Sequence, residues 1–126
     1  MKNKDILYEM FEIYGNPTVD WMGFEVTKHN KITYHHITEA RRGGLETIEN
    51  GALLTKRAHS KLHEIELLDK ELYDEYQYWF RIINDMRCKP SNEIMNIMYS
   101  LKKRLNYTLE NKRELKVQRG LIVKHA

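Results

Sequence analysis

Two apolar stripes in the second half of the chain constrain its fold more than any other feature. Leu72, Tyr76, Trp79, Ile83 and Met86 recur at intervals of four, three, four and three, the period of a helix that buries one face. The pattern starts near Asp69 and stops near Cys88-Lys89-Pro90, where proline opposes continuation. Ser91 or Asn92 can cap a further helix, along which Ile94, Met98, Leu101, Leu105 and Leu109 share one side. Such faces must be covered. They pack against the rest of this chain, the favoured reading, or pair two copies as a homodimer through the C-terminal helices. Cys88 is the single cysteine, so no internal disulfide is available and packing must hold the fold together.

The first half has a different rhythm. Ile6, Leu7, Met10, Phe11 and Tyr14 have helical spacing, with Asn3 or Asp5 as a cap and Gly15 as a stop. Asn16-Pro17 breaks the chain. Met22 to Thr27 and Ile32 to Ile37 read as short strands joined by the polar stretch 28–31. Residues 38–46 form a loop around Gly43-Gly44, and Ala52-Leu53-Leu54 is a brief apolar run that suits a further strand. Thr55 is a natural N-cap for a helix running through His59 and His63. A helix, strands around a histidine-rich centre, then more helices predict a compact α+β chain. No repeat, low-complexity tract or linker divides it, so residues 1–126 read as a single domain.

Composition excludes several classes. With 41% apolar residues, 31% charged residues, 8 tyrosines and 2 prolines, the chain is not disordered. No apolar run approaches the roughly 18 residues that cross a bilayer, and acids interrupt the apolar positions of the N-terminus, unlike a secretory signal. A cytoplasmic location without a membrane partner is expected. Residues 91–126 carry 8 Lys and Arg against 3 acids, which fits contact with a polyanion and equally a solvated face. Trp21, Phe24, Trp79 and Phe80 read as core or interface aromatics, and His29 and His125 as surface residues.

Four of the 6 histidines lie between positions 35 and 63. His59 and His63 are one helical turn apart, so two imidazoles on one face can reach one cation; a half-exposed surface pair has the same spacing. His35 and His36 are neighbours on a strand and point to opposite faces. A strand ending there can still turn one ring to a metal and the other toward a substrate. An aromatic-rich strand with one histidine in the core and one in water fits these two residues as well.

Order adds what spacing leaves open. The stretch Tyr34-His35-His36-Ile37 is followed by Glu49-Asn50-Gly51-Ala52-Leu53-Leu54-Thr55 and then by a helix carrying His59 and His63. This series resembles the HNH endonuclease motif, and with it the small HNH proteins of phages and prophages. The resemblance covers residues 34–66 well and the preceding segment more loosely. It implies a ββα-metal finger, residues 20–67, packed against N-terminal and C-terminal α-helices, with residues 68–126 as a helical extension. By resemblance, His35, His59 and His63 hold one divalent metal ion. His36 is the general base, and Asn50 ties loop to strand and holds the base in place.

The activity so implied is metal-dependent hydrolysis of DNA phosphodiester bonds. A proton acceptor activates water, and a Lewis acid stabilises the scissile phosphate and the 3′ leaving oxygen. The expected products have 5′-phosphate and 3′-hydroxyl ends. Three imidazoles favour Zn, Ni, Co or Mn over Mg, and the family varies in its metal. Arg41, Arg42, Lys56, Arg57 and Lys61 are candidates for holding DNA phosphates, with Lys102-Lys103-Arg104 and Lys112-Arg113 extending the contact. Paired CxxC motifs for a structural zinc, common in HNH proteins, are absent from this sequence. A competing expectation is a catalytically silent scaffold of phage type that binds a nucleic acid or a host protein. A third is a nucleic-acid regulator with a closed, structural metal site of four histidines.

Overall fold

A computed structural model describes residues 3–118 and Gly120, with side chains described from Asp5 onward except at 113, 115 and 116. His125 lies outside the described residues. The fold is α+β. In chain order it comprises α1 (Asn3–Tyr14), β1 (Ile32–His36), β2 (Gly51–Thr55), α2 (Lys56–Leu68), α3 (Lys70–Met86), α4 (Asn92–Glu110) and α5 (Lys112–Gln118). Two short 3-10 turns, Ala40–Arg42 and Ile48–Asn50, lie in the loop between the strands. Among the described residues, no helix is long and apolar enough to cross a membrane.

β1 and β2 form an antiparallel pair in which Thr33 faces Leu54, His35 faces Ala52 and His36 faces Gly51. β2 is buried along its whole length because it is covered from both sides. Met10 of α1 approaches Gly51, where an added Cβ would come within 2.9 Å of its sulfur and 2.5 Å of the Tyr34 ring. The chain then passes from β2 into α2 without a loop. Thr55 makes that possible, since its hydroxyl accepts from the Ala58 N–H, a cap worth about 1 kcal/mol.

The expected strand from Met22 to Thr27 is a folded loop instead, with only the isolated bridges Val19–Glu25 and Thr27–Asn30. Asp20 is the reason. Its Oδ1 accepts from the N–H groups of Met22 and Phe24, at 2.8 and 2.9 Å, taking donors that a ladder needs. Its Oδ2 accepts from Thr55 N–H at 2.8 Å, and Trp21 N–H donates to Leu53. The loop is therefore fixed to β2. Burial pushes the Asp20 carboxyl upward in pKa, against the pull of these backbone donors.

α3 is capped by Asp69 and ends on Arg87 in the left-handed region. Its buried face differs from the stripe read off the sequence. Leu72, Tyr76 and Ile83 are in the core as expected, but Phe80, not Trp79, lies between them, and Tyr73 and Asn84 are buried too. Trp79 is half-buried and Met86 is 46% exposed. Both phases of the pattern are apolar, so period alone could not choose between neighbours 79 and 80. On α4, Met98, Leu101 and Leu105 are buried as predicted, with Ile94 and Leu109 packed against the core. Ser91 is its cap. Both stripes thus serve intramolecular packing.

Candidate active site

His35, His36, His59 and His63 line one open cleft of about 320 Å³, together with Glu39, Arg41 and Tyr73. β1 ends at the cleft, so alternation does not separate its two histidines. His35 points inward, 3% exposed, with its ring edge against Phe80. His36 is half-buried with its ring edge-on to Tyr34. Among the described residues, neither nitrogen of His36 is committed to a hydrogen bond with another protein group. His59 and His63 leave α2 on one face and stack at 4.9 Å with 21° between planes.

The tautomers of two of these rings follow from their surroundings. Gln77 Nε2 lies 2.6 Å from the Ile37 carbonyl, a contact that only the amide NH2 can make. Its Oε1 is therefore the atom 2.9 Å from His35 Nε2, and that nitrogen must carry the proton. The Thr33 hydroxyl sits 2.8 Å from the Leu54 carbonyl, so its single proton lies there. Its oxygen then accepts from His59 Nδ1 at 3.1 Å. The remaining nitrogens, His35 Nδ1 and His59 Nε2, are 3.4 Å apart, and both present lone pairs.

Two facing lone pairs repel unless a cation lies between them. Their separation is close to the edge of a tetrahedral site, about 3.3 Å for Zn–N bonds near 2.05 Å. Protons are poor candidates for that cation near neutral pH. Burial pushes His35 down to about 4, and His59 is lowered by burial and then by the charges of His63 and His36. The lone pairs stay available to a metal. Among the described residues, no three His, Cys, Asp or Glu side chains form a ready cage, because the His63 ring stacks on His59 instead of converging with it.

Asn50 is buried and joins the loop to the strands. Its Oδ1 accepts from Thr38 N–H at 2.8 Å, while its Nδ2 donates to the carbonyls of Thr38 and Leu45, each at 2.9 Å. Its own carbonyl accepts from Ile37 N–H. The residue after His36 is therefore held on the Asn50 backbone. Gly44 completes the loop, since an added Cβ would lie 1.8 Å from the Thr38 carbonyl oxygen.

The candidate phosphate-binding cations separate into groups. Arg41 reaches the cleft, where it pairs closely with Glu39 and lies 3.7 Å from Glu66. Arg42 is exposed at the end of the adjacent turn. Lys56, Arg57 and Lys61 share a different depression with His29 and Asn30, separate from the cleft of the four clustered histidines. Three cations of α4 and α5 are tied within the fold. Lys102 donates to the Gly23 carbonyl and lies over the Phe24 ring. Arg104 pairs with Asp69 and Glu75, and Lys112 with Glu64. The side chain of Arg113 lies outside those described. Lys103 is exposed, and among the described side chains it is the cation of this stretch that the fold does not tie down.

Sequence reasoning missed the contribution of α3. Tyr73, Gln77, Arg81 and Asn84 form a polar row that faces the hairpin and its loop. Gln77 holds His35. Arg81 donates to the Glu49 carbonyl, Thr38 Oγ1 and Asn50 Oδ1. Asn84 donates to the carbonyls of Ile48 and Gly51, each at 2.7 Å. The spacing of four, four and three beside an apolar stripe was a visible signal, but nothing in it names what such a row would touch. Comparison of the chain with family models, with curated proteins and with solved structures gives no match.

Proposed function

We propose that this protein is a metal-dependent endonuclease of the HNH type that hydrolyses DNA phosphodiester bonds. The observation that carries this reading is the pair of opposed lone pairs on His35 and His59, beside His36 in one open cleft. The antiparallel pair β1–β2 running directly into α2 is the order that a ββα-metal finger requires. Arg41 and the loop closed by Asn50 border the same cleft.

In this reading His35 and His59 hold one divalent ion, of Zn, Ni, Co, Mn or Mg, and His63 joins them by turning out of its stack on His59. A bound ion would supply Lewis-acid stabilisation of the scissile phosphate and the departing 3′ oxygen. His36 has the uncommitted nitrogens needed to take a proton from the attacking water. Water oxygen bonds to phosphorus, the bond from phosphorus to the 3′ oxygen breaks, and the proton on His36 becomes available to the leaving oxygen. Asn50 keeps His36 in place through the backbone that follows it. Arg41 exchanges Glu39 and Glu66 for a phosphate of the DNA. Lys56, Arg57 and Lys61, with Arg42, offer salt-sensitive contact to more distant phosphates.

The test is plasmid cleavage with Mg, Mn, Ni, Co and Zn, comparing the wild type with His36→Ala. The substitution is expected to lower the rate by about 10²- to 10⁴-fold with metal binding intact. His59→Ala and His63→Ala should weaken both. Nicking by purified His36→Ala at the wild-type rate would overturn the mechanism. A wild type that binds metal and DNA without turnover across the whole metal series would leave a silent scaffold.

A further inference from the structure

The geometry points to Gln77, on α3 and outside the hairpin–helix unit, as the residue that makes His35 a metal ligand by fixing its proton on Nε2. The inference rests on the metal-site reading above and adds to it the origin of the ligand's competence. A neutral imidazole exchanges its single proton between two nitrogens. Unrestrained, His35 would lose part of its donor population to the tautomer protonated on Nδ1. That tautomer cannot bind a metal through Nδ1.

Gln77 removes this freedom because its own orientation is fixed. The amide NH2 is clamped by the Ile37 carbonyl at 2.6 Å and reaches the Tyr73 hydroxyl at 3.2 Å. Tyr73 in turn donates to Glu39 at 3.2 Å, so its oxygen is free to accept from Gln77. A flipped amide would set its oxygen against the Ile37 carbonyl oxygen and leave that carbonyl without its donor. Only one orientation satisfies all three partners, and it aims an acceptor at His35 Nε2. Ile37 follows the histidine pair directly, so the same amide also fixes the position of the strand end. An oxygen acceptor on the remote nitrogen also raises the basicity of a ligating imidazole.

Two variants separate the acceptor from the clamp. Gln77→Leu loses both, whereas Gln77→Glu keeps an acceptor on His35 and loses the donor to Ile37. Affinity for Zn²⁺ and Co²⁺ is measured by competition with a chromophoric chelator, and the His35 tautomer in metal-free protein by long-range ¹H–¹⁵N correlation. The wild type is expected to show His35 protonated on Nε2. Gln77→Leu should show a tautomer mixture and bind about 10- to 100-fold more weakly, while Gln77→Glu should bind at least as tightly as the wild type. Equal losses in both variants would reduce Gln77 to a clamp and overturn the inference. So would a wild-type His35 protonated on Nδ1, a result that needs no variant to fold. A wild type that binds neither ion but has the Nε2 proton, lost in Gln77→Leu, would overturn the metal reading and with it the ligand role. The effect of Gln77 on the tautomer would stand.

Discussion

The segment from β1 to α2 and the helix α3 divide the labour of this molecule unequally. The first carries all four clustered histidines and Asn50, every group with evident chemistry. The second carries no motif, yet its polar row makes the hydrogen bonds that fix the His35 ring, the loop and the start of β2. Two strands of five residues make a hairpin that is marginal on its own. Such a hairpin keeps its imidazoles in place by borrowing rigidity, here from a longer helix with a packed apolar face. Chemistry is local in the chain, and its precision is remote.

This division can be broken most forcefully at Phe80, which is fully buried and touches both Trp21 and His35 by its ring. Phe80→Ala should cost about 4 kcal/mol in denaturant unfolding, and Trp79→Ala roughly half as much. Equal costs would restore the seam to the phase suggested by the sequence. Acid supplies a probe from the other side. His35 has its pKa lowered to about 4 in the fold, so the unfolded chain takes up the proton first as pH falls. The contribution of neutral His35 is complete above about 6.5 and is lost as pH falls toward 4, by at most ~3 kcal/mol. Asp20 acts oppositely, because its raised pKa lets protonation favour the fold. Unfolding of metal-free protein at pH 7 and pH 5 should reveal the His35 loss, and His35→Phe should lack it. An effect of about 2 kcal/mol, as small as that of Trp79→Ala, belongs to Asn84→Leu, which leaves the Ile48 and Gly51 carbonyls without that donor. Its unfolding curve checks whether the polar row is structural along its whole length or only at Gln77.

The legible part of the fold was the part governed by period and by caps. β1, β2, the Thr55 cap and the stripe of α4 lie where spacing put them, whereas one cleft shared by His35, His36, His59 and His63 was expected from the resemblance alone. What escaped depended on side chains reaching across sequence. The 22–27 segment has strand composition, and one buried aspartate turns its backbone donors inward. Trp79 and Phe80 are equivalent to a helical period and are separated only by what packs on them. Lys102, Arg104 and Lys112 read as a polyanion surface because their partners, the Gly23 carbonyl, Asp69 and Glu64, lie 35 to 79 positions away. Gln77 is an unremarkable glutamine until the Ile37 carbonyl is opposite it.

The closure of the loop by Asn50 and Gly44 gives residues 39–43 fixed ends, and Ala40 is the cleft-lining residue among them with no side-chain bond to keep. Thr38 and Leu45 are pinned by one amide, and Gly44 fits only where the Thr38 carbonyl passes, so both ends of the insert stay fixed whatever lies between them. The histidines sit on the far side of those pins. Replacement of Ala40 can therefore reshape the mouth of the cleft while the four histidines stay where they are. The shape of the mouth and the placement of the histidines are thus assigned to separate stretches of the chain.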